Sequence, residues 1–403
     1  MARPLAGARV LLGVTGGISA YKAPLLTRLL LGAGAEVDVV LTPGAERFVG
    51  RVTFEGLTGR AVRTGVFEDV ADDTHVAVGR AADVAIVYPA TAHALAKLAG
   101  GLADDLLSTT LLAATCPLVV APAMHAEMWR HPATQDNVAR LRERGVSVLG
   151  PADGPLMGGD HGPGRLVEPS EALAQVVVLH ALGPRPADLT GRHVLVTAGG
   201  TREPIDPVRF LGNRSSGRMG FAVAAAAARR GARVTLVAAP AALPTPTGVE
   251  RVEVTTAREL HDEVLARVDE VDVVVKAAAV ADFRPSSESA SKLKKRAGTP
   301  AVELTANPDV LAELGRRRGG ATRPLLVGFA AETEDAEAHG RAKLADKRAD
   351  LLVVNDVSSD DAGFEVDTNR VVLLDRDGGR SEVDLTSKDV VAERLLDAIA
   401  ARL

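Results

Sequence analysis

The same opening occurs twice in this chain, VLLGVTGG at 10–17 and VLVTAGGT at 194–201. Each is an apolar run, rich in β-branched residues, that leads into threonine and paired glycines. A strand with one wet face alternates apolar and polar residues. A run that is apolar throughout is instead covered on both faces, as in a parallel sheet flanked by helices. The signal recurs in EVDVVLT (36–42), ADVAIVYPA (82–90), CPLVVAPA (116–123) and VSVLGPA (146–152). It returns in ARVTLVAAP (232–240), VDVVVKAAA (271–279), PLLVGFAAE (324–332) and ADLLVVNDV (349–357). Alanine- and leucine-rich helical stretches such as AYKAPLLTRLLLGAG separate these runs.

Between the two series lies LGPRPADLTGR (182–192), with two prolines, two glycines and no periodic apolar face, which reads as a linker. Two α/β domains are therefore expected, at about 1–185 and 190–403. RVVLLDRDGGRSEVDL (370–385) reads as a hairpin turning at Asp377-Gly378. Ligands are expected at the carboxyl ends of the strands.

The net charge of −5 gives no basic excess for nucleic acid or a membrane surface. Cys116 is the only cysteine, which excludes an internal disulfide framework and fits a reducing cytoplasm. No uninterrupted apolar stretch reaches membrane-spanning length, and MARPLAGARVLLGV has no signal-peptide architecture. A cytoplasmic protein is expected.

Neither glycine opening is a GxGxxG or a GxxxxGK[ST] motif. The bland reading is a tight βα turn. The functional one is a loop whose backbone N–H groups approach a phosphate or a ring, with Thr15, Ser19 and Thr201 adding hydroxyls. In the first half further stretches accompany the loop: THVAVGRAADVAIVYPATA (74–92), GLADDLLST (101–109), PAMHAEMWRHPATQDN (122–137) and the glycine-rich segment GPLMGGDHGPGRL (154–166). Together with GVTGGISAYK (13–22) they resemble the flavin-dependent cysteine decarboxylases, most closely the phosphopantothenoylcysteine decarboxylase domain.

That resemblance implies a flavodoxin-like doubly wound parallel sheet, FMN, and a homo-oligomer built from trimers, up to a dodecamer. It assigns Gly17 and Ser19 to the FMN phosphate loop and Thr42 and Ser108 to the neighbourhood of the flavin. It matches His75 to the active-site histidine. The implied chemistry oxidises the thiol-bearing carbon of the substrate, so that the adjacent carboxylate can leave as carbon dioxide, and then returns the hydride. Two departures stand out. His125 replaces the asparagine usual after PAM, and Gly158 occupies the position of the flap cysteine that serves as proton donor. Cys116, before a strand, reads as a structural thiol. His125, His161 or water remain as the acid. Gly158 also admits a second reading, in which this half holds FMN without completing decarboxylation.

In the second half LGNRSSGRMG (211–220) packs glycines, serines, an asparagine and two arginines before an alanine-rich helix. Backbone N–H groups and the helix dipole at such a start favour a phosphate. A helix cap with solvated arginines explains one serine, not the whole loop. Six of only nine lysines fall between 276 and 347. Lysine is a compact, mobile charge suited to polyphosphate. A solvated loop accounts for Lys294 and Lys295 but not for Lys276, which ends an apolar strand. KAAAVADFRP (276–285), SKLKKRAG (291–298), NPDVLAELG (307–315), VGFAAETE (327–334) and VVNDVS…GFEVDTNRVVLL (353–374), after TAGGTREPIDPVRFLGNRSSGRMG (197–220), resemble phosphopantothenate–cysteine ligase.

The two domains in this order resemble the bifunctional bacterial enzymes of coenzyme A synthesis, the second as a Rossmann-like α/β ligase domain. The resemblance implies 4'-phosphopantothenate, L-cysteine and CTP as substrates, with Mg2+ entering with CTP. It gives Asn213 a contact to the acyl-cytidylate and makes Lys292 the lysine that supports cytidylyl transfer. Arg209, Ser215 and Ser216 fall on the phosphopantothenate side. Lys276, Ala277, Ala278, Asp282, Asn307, Pro308, Phe329, Lys343 and Lys347 fall to the CTP site. The metal ligands are left unassigned.

Overall fold

The computed structural model describes residues 3–65, 74–155, 161–293, 301–332, 335–356 and 366–403. They form two compact units, Met1–Pro186 and Ala187–Leu403. In the first unit β1 (Arg9–Val14), β2 (Glu36–Leu41), β3 (Val84–Ala90), β4 (Leu118–Pro122) and β5 (Ser147–Val148) pair in parallel, in the order β2-β1-β3-β4-β5. This is the flavodoxin-like order. The winding reverses between β1 and β3, which opens a crevice at their carboxyl ends.

Successive side chains on a strand point to opposite faces. Leu11, Ala85, Val87 and Val120 pack with Leu95, Ala99, Val138 and Leu141 of the helices Ala92–Gly100 and Pro132–Glu143. Val10, Leu12 and Ile86, which point the other way, are equally buried. Neither face of the sheet is wet, as the unbroken apolar runs require. An antiparallel pair, β6 (Ala152–Pro155) and β7 (His161–Arg165), follows the sheet.

The second unit opens with β8 (His193–Ala198) and a short hairpin, β9 (Arg202–Pro204) with β10 (Phe210–Gly212). Then come β11 (Arg233–Ala238), β12 (Val249–Glu253), β13 (Val273–Lys276), a second small pair β14 (Phe283–Pro285) and β15 (Leu304–Ala306), β16 (Leu325–Glu332), β17 (Leu351–Asp356), β18 (Thr368–Asp375) and β19 (Arg380–Ser387). The main sheet runs β12-β11-β8-β13-β16-β17-β18-β19. Its first six strands are parallel and the last two antiparallel. Counted along the parallel strands the order is 3-2-1-4-5-6, the Rossmann arrangement, with its switch point between β8 and β13.

The alternation divides the apolar residues between two layers. Val194, Val196, Val273 and Val275 pack under the helices Arg218–Arg229 and Lys388–Ala400. Leu195, Val274 and Leu326 pack under Ala257–Arg267 and Val310–Arg318. The hairpin at Asp377-Gly378 is present between β18 and β19, with Gly378 at a φ of +95°. In the two main sheets one strand lies outside the sequence expectation, as do the short pairs β6–β7, β9–β10 and β14–β15. β12, VERVE, alternates charged with apolar residues because it is a half-exposed edge strand.

The helix Arg218–Arg229 starts at Gly217, whose φ of +78° is left-handed. A Cβ there would meet the Ala241 Cβ and the Gly199 N, each at 3.2 Å. Gly217→Ala is expected to destabilise the second unit by about 1–2 kcal/mol. Urea unfolding of the full chain checks this. An unchanged midpoint would show that the left-handed start is not required.

Candidate functional site

Among the described residues each unit carries a large cleft at its switch point. In the first unit a cleft of about 590 Å³ is bounded by the loops after β1 (Thr15, Gly16), β2 (Thr42, Pro43, Gly44) and β3 (Thr91 to Ala94). Gly16 has no room for a side chain, because a Cβ would stand 2.6 Å from the carbonyl carbon of Gly44. The two loops can approach this closely only as bare backbone. Thr15 Oγ1 accepts from Thr91 N at 3.1 Å and donates to Pro89 O at 2.8 Å. Thr42 and Thr91 cap the helices that follow them, accepting from Ala45 N and Ala94 N.

The opposite wall is apolar, formed by Val87, Leu98, Leu107, Leu111 and Met128. Beside it Asp105 and Ser108 make a reciprocal capping box at the start of the helix Leu106–Ala113. Lys97 donates to Asp105 at 2.7 Å and pairs with Asp104 at 2.6 Å. Burial pushes the Asp105 carboxyl up, but Lys97 and both donors of Ser108 outweigh it and hold it below the usual carboxylate range. A hydroxyl- and amide-lined rim against a flat apolar wall suits a phosphate-bearing planar ring such as FMN.

Of the residues expected here, Thr42 and Ser108 line the cleft, whereas Gly17, Ser19, His75 and His125 do not. Ser108 spends its hydroxyl on Asp105. His75 is half-buried in the first turn of the helix Thr74–Ala81. His125 precedes the helix Ala126–Arg130 with its Nδ1 on the Glu127 carboxylate. His161 opens β7, its Nδ1 3.4 Å from Asp153 Oδ1. Gly158 lies outside the described residues. Cys116 is half-buried against the core, and burial raises its thiol pKa. Thr91, His93, Lys97 and Asp105 line the cleft without having been singled out. For Thr91 the signal was present, since a hydroxyl between an apolar strand and a helical run is a helix cap.

In the second unit a cleft of about 440 Å³ gathers Asn213, Ser215, Ser216, Lys276, Ala277, Ala278, Asp282, Phe329, Lys343 and Lys347. Threonines after and within β8 hold the loop that follows β13: Thr197 Oγ1 accepts from Ala278 N at 3.1 Å, and Thr201 Oγ1 from Ala281 N at 3.0 Å. Asn213 Nδ2 donates to Val280 O at 3.0 Å on the same loop. Burial drives the Lys276 ammonium below its usual value, with Asp309 and Asp282 opposing. Lys347 pairs with Asp309 at 3.1 Å. Asp309 also caps the helix Val310–Arg318.

Four expected residues stand off the cleft. Asn307, next to Pro308, donates through Nδ2 to Ala281 O at 2.8 Å, and its backbone N donates to Asp282 O at 2.9 Å. Asn307 therefore positions Asp282 rather than lining the cleft. Arg209 is drawn away by the buried Asp206 carboxylate and by Leu293 O, which accepts from Nη2 at 3.0 Å. Lys292 is exposed and directly precedes Leu293, the residue held by that tether. Lys294 and Lys295 lie outside the described residues. Arg218, Asp309, Asn355, Asn369 and Lys388 line the cleft and were not singled out from sequence. Among the described residues no three His, Cys, Asp or Glu side chains converge as a metal site.

Residues 2–180 match the Flavoprotein family, and residues 189–403 match the DNA/pantothenate metabolism flavoprotein C-terminal domain. The chain is 52% identical to the coenzyme A biosynthesis bifunctional protein CoaBC of Mycolicibacterium smegmatis, over 98% of each chain. It is 45% identical to CoaBC of Bacillus subtilis, over 97% of this chain and 96% of that one. A crystal structure of the C-terminal domain of a CoaBC protein is 39% identical, covering 53% of this chain and 97% of its own with a TM-score of 0.46.

The tether beside Lys292 is testable by itself. Asp206 Oδ2 accepts from Leu293 N at 3.2 Å, and Arg209 with the backbone of the 206–209 turn holds that carboxyl well below the usual carboxylate range. Asp206→Asn keeps the shape and removes the charge. Trypsin is expected to cut after Lys292 several-fold faster in this variant, with the rest of the digest unchanged. Equal rates would mean that Asp206 does not restrain the segment.

Proposed function

We infer what each half does from the premise that the chain belongs to the family of bifunctional coenzyme A biosynthesis proteins. It is an enzyme of coenzyme A biosynthesis with a flavoprotein decarboxylase half and a ligase half. We propose that the second unit joins cysteine to 4'-phosphopantothenate at the expense of CTP. The first unit then decarboxylates phosphopantothenoylcysteine to 4'-phosphopantetheine. The observation that carries this is the gathering of Lys276, Lys343, Lys347 and Asn213 at the β8/β13 switch point.

In the ligase the phosphopantothenate carboxylate attacks the α-phosphorus of CTP, and pyrophosphate leaves with the bridging electron pair. The cysteine amine then attacks the acyl carbon of the acyl-cytidylate, loses a proton and expels CMP. An arriving triphosphate offsets the burial that disfavours the Lys276 ammonium. Asn213 sits where an amide can support the acyl oxygen. Mg2+ enters with CTP, and Asp282 and Asp309 are carboxylates on the cleft able to orient it.

In the first unit FMN supplies the reversible two-electron step that allows the carboxylate to leave. Thr15, Thr42 and Thr91 shape the rim for its phosphate, and His75, off the cleft of its own unit, is the active-site histidine that the family resemblance implies. A second reading, FMN binding without decarboxylation, draws on Gly158 and on a His125 ring tied to Glu127. Carbon dioxide release from phosphopantothenoylcysteine separates the two. We further propose a cytoplasmic homo-oligomer built from trimers. Ile18, Tyr21, Leu25 and Leu29 form an exposed apolar stripe at helical spacing. Sedimentation velocity tests the assembly, and a monomer would sink it. No helix among the described residues is long and apolar enough to cross a membrane.

His75→Asn is expected to abolish carbon dioxide release while pyrophosphate release by the second unit stays within twofold. Each unit buries its own core, so a change in one site leaves the other intact. Loss of both activities in a folded protein would contradict the assignment. Lys292→Gln is expected to lower kcat roughly a hundredfold, with little change in KM for CTP, since a charge that builds as pyrophosphate leaves is felt mainly in the transition state. Pyrophosphate release with cysteine omitted isolates that step. A near-normal kcat would remove Lys292 from the chemistry.

A further inference from the structure

Lys388 is the ninth lysine, outside the cluster that marks the nucleotide site. It is the first residue of the helix Lys388–Ala400, immediately after the cap Ser387. A cation there opposes the helix dipole, and a solvated surface lysine would be better placed elsewhere. This one is also buried, with 5% of its surface exposed, and it lines the second-unit cleft. Burial, and after it the Arg218 guanidinium, bring its pKa down to about 8 against the partial support of Asp367. Its ammonium donates to Val366 O, and Arg218 pairs with Asp367 at 2.8 Å.

Two asparagines share this end of the cleft. Asn355 stands at the end of β17, Asn369 at the start of β18, and Lys388 just past the end of β19. Three adjacent strands thus each contribute one side chain at the same sheet edge. Asn369 is 2% exposed and Asn355 9% exposed. Among the described residues the Oδ1 of each has no hydrogen-bond partner, although both residues line the cleft. A buried amide end without a partner is costly, and buried polar groups of this kind point to a ligand. The two ends of a carboxamide are nearly isosteric, so half a turn presents the NH2 group to the cleft as a donor.

Asp309, Asp282, Lys343 and Lys347 act on Lys276, and Arg218 and Asp367 act on Lys388. The helix start at Gly217 and Arg218 lies beside the second set. We propose that Lys388, Asn369, Asn355 and Arg218 form a phosphate-recognising subsite at the β17–β19 end of the ligase cleft. The proposal rests on the ligase reading. In that reaction both the nucleoside triphosphate and the phosphorylated acid carry phosphate oxygens, and either can fill the subsite.

The test uses the full chain and two probes, CTP and 4'-phosphopantothenate, each titrated calorimetrically against the parent, Lys388→Gln and Asn369→Asp. Kd for one probe is expected to rise about 10- to 100-fold in both variants, as for loss of a charge-assisted contact, while the other probe stays within twofold. The weakened probe identifies the source of the phosphate. Lys388→Arg keeps the charge and should recover most of the affinity. Weakening by Gln that Arg does not relieve, or equal weakening of both probes with a lowered Tm, would make Lys388 a structural lock and overturn the subsite. So would unchanged binding in every variant. Parent protein that makes no phosphopantothenoylcysteine from CTP, cysteine and phosphopantothenate would instead defeat the functional reading on which the subsite rests.

Discussion

A threonine hydroxyl that bridges the switch point holds each site together. In the first unit Thr15, just past β1, accepts from the backbone of Thr91, just past β3. In the second, Thr197 at the end of β8 accepts from Ala278, just past β13. Strands covered on both faces satisfy their backbone groups along the sheet, but the ladder ends where two neighbouring strands diverge into loops. The freed N–H needs a partner at that point. A short side chain with an acceptor and a β-branched body fits both the apolar strand and the polar gap. The repeated openings VTGG and VTAGGT therefore reflect one structural need, and a ligand is the occupant of the space that the bridge keeps open.

The remaining loop contacts in the second unit build outward from that bridge. Thr201 fixes Ala281, Asn213 fixes Val280, and Asn307 fixes both Ala281 and Asp282. Residues 278–282 are thus held from three directions, which gives Asp282 a defined position on the cleft. The segment that carries Lys292 is treated differently. It is tied at Leu293, next to the exposed Lys292, by Asp206 and Arg209. On the proposed roles, a lysine that acts as charge develops is helped by reach, and a carboxylate that orients a cation is helped by rigidity.

The architecture was legible because unbroken apolar runs admit few arrangements, and ten of them in two series specify two doubly wound sheets. β12 escaped because an edge strand keeps its polar residues. In the second cleft Lys276 was readable as a charge at the end of a buried strand, and the 213–217 loop as an unusual helix start. Asn355 and Asn369 were not singled out. A lone asparagine in a β-branched run carries no signal until the strands are paired and the empty side of its amide can be seen. Arg209 stands off the cleft for a related reason: sequence shows a charge near a motif, but not that Asp206, three residues earlier, pairs with it. His75 and His125 do not reach the cleft of their own unit, a fact that spacing along the chain has no means of expressing.

Charge separates the tasks of the two clefts. The first contains Lys97 against Asp104 and Asp105, so its cation is neutralised within the protein and its broad wall is apolar. Among the described residues that line the second, Arg218, Lys276, Lys343, Lys347 and Lys388 outnumber the carboxylates Asp282 and Asp309, although Asp367 pairs with Arg218 and Asp346 with Lys347. Burial is the main cause that lowers the pKa of Lys276 and of Lys388, with Lys343 and Lys347 adding to it at the first and Arg218 at the second. An anion with several charges along its length would relieve both ends at once. That balance supports the proposed polyphosphate ligand in the second cleft, and the apolar wall of the first supports the flavin there, although both halves offer a crevice at the switch point of a doubly wound sheet.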